Sequence, residues 1–265
     1  LQSPQQVVDA VLAAVTDRTR LLLIDHITSP TGLVLPIEPI IQALAARGID
    51  TLVDGAHGPG MVPLSLRSLG AAYYTGNCHK WLCTPKGSAL LYVRRDRQDR
   101  IRPLAISHGA NSTRTDRSRF QLEFDFTGTF DPSPLLCIPV ALRFLSSLLS
   151  GGMDALRAHN RSLALRAREL LCRELGIAAP APESMIGFLA SVPLPVDGSA
   201  LPQGPFGLDP LQVALWDRYR IEVPVMNWPN PKLRLLRVSP QIHNSFAQYE
   251  LLARACKELG AAHVR

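Results

Sequence analysis

The sequence has no apolar run approaching the ~18 residues that a membrane span needs, so no membrane partner is expected. Its first twenty residues hold neither a basic stretch nor an apolar core, and they do not read as a secretory leader. Cysteines are few: five in 265 residues, without paired spacing. Cys78 and Cys83 are not a CxxC pair and no second pair answers them. That excludes a zinc site and a disulfide framework, and predicts reduced thiols in a cytoplasmic protein. The formal charge of +6 comes without aromatic interleaving. The densest basic groups, Arg94–Arg102 and Arg114–Arg119, also contain Asp96, Asp99 and Asp116. A nucleic-acid surface needs clustered cations and stacking rings, so the expectation is a solvated surface with a site for small anions.

What is present is enough for a sizeable core: 46% hydrophobic and 19% charged residues. Val7, Val8, Val11, Leu12 and Val15 fall at helical spacing. The run LLLIDHI, 21–27, reads as a strand buried on both faces, as in a parallel sheet. A turn, TSPTG, leads to a helix over PIEPIIQALAARG with Gly48 as its cap. Further strands are predicted at 51–57, 71–76 and 88–95. The strand–helix–strand order predicts an α/β fold, a mostly parallel sheet with helices on both faces. After about residue 131 the character changes. Helices are predicted at 134–149, 153–175, 209–219 and 245–259, with strands near 185–193, 221–226 and 233–239 and a Pro/Gly-rich stretch at 193–210. This divides the chain into 1–133, part of a large α/β domain, and 134–265, a linking helix with a smaller α+β domain. The first strand reads as central although no strand precedes it, which predicts an upstream portion of the same domain.

Four polar groups fall at strand ends, where open α/β sheets place ligands. They are Thr28–Gly32, Asp54-Gly55-Ala56-His57, Asn77-Cys78-His79-Lys80-Trp81 and Thr127-Gly128-Thr129. An aspartate closing an apolar strand is a carboxylate placed to hold a cation, or a structural cap. Lys80 alone would read as a surface lysine. Together they suit pyridoxal 5′-phosphate, which needs an amine for its aldehyde and an acid for its pyridine nitrogen.

The segments LLLIDHITSPTG, TLVDGAHGPG, GNCHKWLCTPKGSALLYV and LRLLRVSPQIHNS resemble the class V aminotransferase superfamily of fold type I. Within it they look most like the isopenicillin-N epimerase branch. The specific part is HKW-x(3)-PKG, 26 residues after Asp54. The resemblance implies that Lys80 forms the Schiff base with the cofactor and that Asp54 pairs with its pyridine nitrogen. It also implies that His57 and Thr28 lie at the cofactor's phenolic oxygen, and that Asn77 and His79 hold its phosphate. It assigns Thr129 to the cofactor phosphate of a partner subunit in a homodimer with shared sites, and Arg237 to the substrate carboxylate. Plain alternatives stand beside these roles: turn chemistry for Thr28, a core histidine at 57, a strand-end arginine at 237, a helix cap at 129. Cys78 and Cys83 read as small packed residues.

The chain departs from the family pattern in three places. The family's first third has no counterpart. His243-Asn244 stands where relatives carry Tyr-Asn. The loop PLPVDGSALPQGPFGLD has no cysteine, which disfavours desulfuration through a persulfide. What the resemblance implies is pyridoxal-phosphate chemistry at the α-carbon of an amino-acid-like substrate, of epimerase or aminotransferase type and without a metal. A carbon–sulfur lyase is the enzymatic alternative, and a fold retained without cofactor the non-catalytic one.

Overall fold

The computed structural model describes residues 1–194, 207–229 and 233–261. In it β1 (Leu21–Asp25), β2 (Asp50–Asp54) and β3 (Tyr73–Asn77) run parallel side by side, and β4 (Ala89–Val93) closes antiparallel on β3. Period-two alternation puts Leu22, Ile24, Val53, Tyr74 and Tyr92 on one face. Helices Pro4–Ala13 and Ile37–Ala45 cover that face with Val8, Ile37, Ile40 and Ile41. Each large apolar side chain buried there is worth roughly 1.5–3 kcal/mol.

The fold class is the expected α/β, but the opposite sheet face is only partly covered among the described residues. Leu21, Leu23 and Leu91 are exposed on it, Leu23 at 66%. The expectation that residues 21–27 are buried on both faces therefore fails. β1 is an edge strand of the four, and among the described residues no helix packs on its second face. An apolar run reports what a strand is built to meet, not whether the partner lies in the same stretch of chain.

The second sheet is antiparallel, in the order β5 (Ala190–Leu194), β7 (Arg234–Val238), β6 (Val225–Asn227). It shares one core with helices Gly152–Leu175, Pro210–Tyr219 and Phe246–Glu258. Asp209 caps the middle helix through the Leu211 N–H and forms a buried ion pair with Arg234, which ties β7 to that helix start. The predicted helix 134–149 is two pieces, Ser133–Leu136 and Ile138–Ser147. Pro139 has no N–H to give the preceding turn. The predicted strand at 185–193 begins only at Ala190, after a 3₁₀ turn at Glu183–Met185. Most of the Pro/Gly-rich stretch lies outside the described residues.

The sheets meet where the site forms. The Val34 N–H donates to the Met185 carbonyl, the Ser191 hydroxyl to the Pro30 carbonyl, and Arg237 to Ser29. Among the described residues no single helix is long and apolar enough to cross a membrane.

Candidate active site

Three parallel strands end on one edge of the sheet. Asp25, Asp54 and Thr75 stand in register there. Neighbouring carboxylates repel, and burial adds to this: the Asp25 carboxyl is raised by desolvation first and by Asp54 second, while Lys80 opposes the rise. Asp54 is exposed. One of its oxygens accepts the Ala56 N–H at 2.9 Å, and it forms no ion pair among the described residues. Its carboxylate is free to meet a cation.

The turn after Asp54 rests on Tyr74. A side chain at Gly55 would meet the Tyr74 ring at 2.0 Å, and one at Gly58 would meet its hydroxyl at 2.1 Å. Tyr74 is wholly buried, and its hydroxyl bonds His26 Nδ1 at 3.0 Å. Desolvation lowers the His26 pKa to about 4, so the ring is neutral near pH 7. The two glycines let the backbone lie flat on the tyrosine, and the turn delivers His57 to the site.

His57 is buried between two side chains of the next strand end. The Trp81 indole N–H donates to its Nδ1 at 3.1 Å, and its Nε2 lies 3.3 Å from Lys80 Nζ. Its pKa falls to about 4, from desolvation first and then from the Lys80 and Arg237 charges. Lys80 is half-buried, and its pKa is lowered by desolvation and Arg237 against the pull of Asp54 and Asp25. Trp81 is itself held edge-to-face by Phe188, with ring centroids 5.2 Å apart.

Arg237 enters from β7. Its Nη1 donates to the Ser29 carbonyl at 2.5 Å and hydroxyl at 3.2 Å, while its buried Nε–H has no partner among the described residues. Burial lowers its pKa, and a cavity of about 350 Å³ lined by Glu222, Ser239, Asn244 and Gln248 opens beside it.

Asp54, His57, Lys80 and Arg237 are thus gathered, close enough to bias one another's charge. Asn77 ends β3 just before them. The other expected residues are placed differently. The Thr28 hydroxyl accepts the Leu33 N–H at 2.9 Å and bonds Thr31 at 2.5 Å, so it is engaged in its own turn. His79 Nδ1 donates to the Ser88 carbonyl at 3.1 Å. Thr129 is exposed and makes no hydrogen bond to the others among the described residues. Cys78 is buried as expected, but Cys83 is exposed, in a left-handed turn with φ of 56°.

Sequence reasoning gave no role to Asp25, His26, Ser29, Tyr74 or Trp81. Parallel register from a strand-end acid could have found Asp25. The others depend on contacts between distant segments.

Residues 2–186 match the family pattern described as aminotransferase class V. The chain is 37% identical to the isopenicillin N epimerase of Amycolatopsis lactamdurans over 98% of its own length and 65% of the relative's. It is 29% identical to a probable chloroplastic L-cysteine desulfhydrase of Arabidopsis thaliana, covering 91% of this chain and 51% of that protein. Among solved structures it resembles the cysteine desulfurase CsdA of Escherichia coli, with a TM-score of 0.71 at 19% identity, covering 95% of this chain and 61% of that one. The chain therefore spans less than two thirds of the length of these relatives.

Proposed function

The chain belongs to the class V aminotransferase family, and on that premise we propose that it performs pyridoxal-phosphate chemistry at the α-carbon of an amino-acid-like substrate. When bound, the cofactor supplies an electron sink for charge developing at that carbon. The residues present fit it. An amine of lowered pKa and an unpaired carboxylate stand at neighbouring strand ends, and a guanidinium with an open N–H faces them. Lys80 would carry the cofactor and move the substrate's α-proton at its Nζ. Asp54 would hold the pyridine nitrogen in its protonated form. His57 would serve the phenolic oxygen, and Asn77 and His79 the phosphate. Arg237 holds the substrate carboxylate, a task suited to a planar fork of donors. Thr28, whose hydroxyl also holds its own turn, would reach the same phenolic oxygen. The observation that carries the proposal is the approach of Lys80 to His57 at 3.3 Å beside Asp54.

Epimerase or aminotransferase chemistry is the first reading, supported by the 37% identity to an epimerase. A carbon–sulfur lyase is the second, supported by the desulfhydrase relative. The same reading divides the chain at 133/134, places it in the cytoplasm and pairs it as a homodimer. The pairing draws on Leu136, Val140 and Phe144, exposed at four-residue spacing beside exposed Phe130.

The test is to incubate the full chain with pyridoxal 5′-phosphate, reduce with borohydride and map the pyridoxyl group. Attachment at Lys80 is expected. Attachment elsewhere overturns the assignment, and none at all favours a fold retained without cofactor. For a loaded enzyme, exchange of the α-proton in heavy water without loss of the side chain supports the first reading, and sulfide release from cysteine the second.

A further inference from the structure

The Trp81 side chain donates neither to Asp54 nor to Lys80, yet it constrains both nitrogens of the His57 ring, which lies between it and Lys80. An indole N–H is a donor and nothing else. It points at His57 Nδ1 from 3.1 Å, so Nδ1 must present a lone pair. A neutral imidazole has one N–H, which then sits on Nε2. That N–H faces Lys80 Nζ at 3.3 Å. An ammonium has three donors and no acceptor, so a charged Lys80 would meet it donor against donor. A doubly protonated ring would strand the indole in the same way. One arrangement satisfies both contacts: indole N–H to Nδ1, Nε2–H to the amine lone pair.

We propose that Trp81 is a positioning residue that fixes His57 in its Nε2–H tautomer and thereby holds the Lys80 amine uncharged, ready to act as a nucleophile. An amine attacks an aldehyde only in its uncharged form. The groups around this relay are mixed in sign. Burial and Arg237 oppose a charged lysine while Asp54 and Asp25 favour it, and burial with Arg237 keeps His57 neutral. With the field divided, the directional bonds set the outcome. The relay is anchored from the other sheet's side, because Phe188 fixes the Trp81 ring edge-to-face at 5.2 Å and both belong to one core cluster with Met61 and Ile27.

The use made of the amine rests on the proposed role of Lys80, but the tautomer does not. The measurements are therefore taken on the full chain without cofactor, so that failure of the relay and failure of the cofactor assignment are distinguishable. With ¹⁵N in histidine and tryptophan, two-bond spectra should show His57 as the Nε2–H form alone at pH 7. A coupling should be visible across the hydrogen bond between the Trp81 and His57 nitrogens. Trp81→Phe keeps an aromatic ring at this position and removes the donor. His57 should then titrate about one pH unit higher, the size of one hydrogen bond. The pH midpoint for acylation of Lys80 by acetic anhydride, read by peptide mass, should rise with it. An Nδ1–H tautomer or an absent coupling in the wild type overturns the proposal. So does a Trp81→Phe chain that folds with both midpoints unmoved. If Trp81→Phe does not fold, the wild-type spectra alone decide.

Discussion

Asp54 and His57 stand three residues apart and face opposite environments. Asp54 is exposed and free, and its one internal bond runs to the Ala56 N–H. An amide oxygen can accept that bond equally well, so Asp54→Asn should fold as the wild type does. It should lose turnover by at least ~100-fold, the scale of removing a principal electrostatic stabiliser. Steady-state rates beside a thermal melt check this, and a near-wild-type rate would make Asp54 purely structural. His57 and His26 report through stability instead. Both are neutral in the fold down to about pH 4, while an unfolded histidine charges near 6.5. Between those values the unfolded chain binds more protons, so stability falls as pH drops through the window and is recovered above it. Each ring is worth about 3 kcal/mol at full effect. Thermal midpoints from pH 7 to pH 4 should decline steeply, more gently in His26→Gln. A flat profile would mean that neither ring is held neutral.

At the scale of elements, the site depends on how closely the turn after β2 lies on β3. Gly58 approaches Tyr74 only at the hydroxyl: the next ring atom is 3.4 Å from the added carbon, against 2.1 Å for the oxygen. Gly58→Ala should therefore destabilise by about 1–3 kcal/mol through overpacking. Tyr74→Phe alone should cost about 1 kcal/mol through the lost His26 bond. Since removing the hydroxyl also removes the clash, the double variant should cost clearly less than the two singles together. Denaturant melts of the four chains measure this, and strict additivity would show that Tyr74 does not support the turn. The sequence made the strands, the polar strand ends at Asp54 and Lys80 and the cofactor legible, because apolar runs, breakers and the Asp–Lys pairing are local patterns. It did not show that glycine at 55 and 58 answers Tyr74 on the next strand. Nor did it show that Trp81 bonds His57. Each of those is settled by how two strand ends pack, and no single window of sequence contains it. The break at Pro139 was legible in principle, because a proline one turn into a helix removes a bond wherever it occurs.

At the scale of the whole molecule, Thr129 is the one expected cofactor contact that does not follow a strand of the first sheet. It is exposed, it follows Gly128 in a segment between helices Arg119–Asp125 and Ser133–Leu136, and it bonds to none of the gathered residues among those described. Just beyond it, Leu136, Val140 and Phe144 present an apolar stripe to solvent. A stripe at helical spacing with no cover in its own chain suits a two-fold interface, where one patch meets its own copy. Such a dimer would carry each Thr129 across to the neighbour's site. Complementation tests this without a structure of the pair. A Lys80→Ala chain and a Thr129→Ala chain should each be poorly active. If sites are shared, a mixed dimer has one site with both lesions and one with neither. Random assortment of equal amounts makes half the dimers mixed, so roughly a quarter of wild-type activity should return. If Thr129 serves only its own chain, as a turn or cap, every site keeps a lesion and no mixing ratio restores activity. Charging the stripe separates assembly from chemistry. Val140→Glu with Phe144→Glu should yield monomers by sedimentation and abolish the rescue, whereas a dimer that survives both changes would place the interface elsewhere.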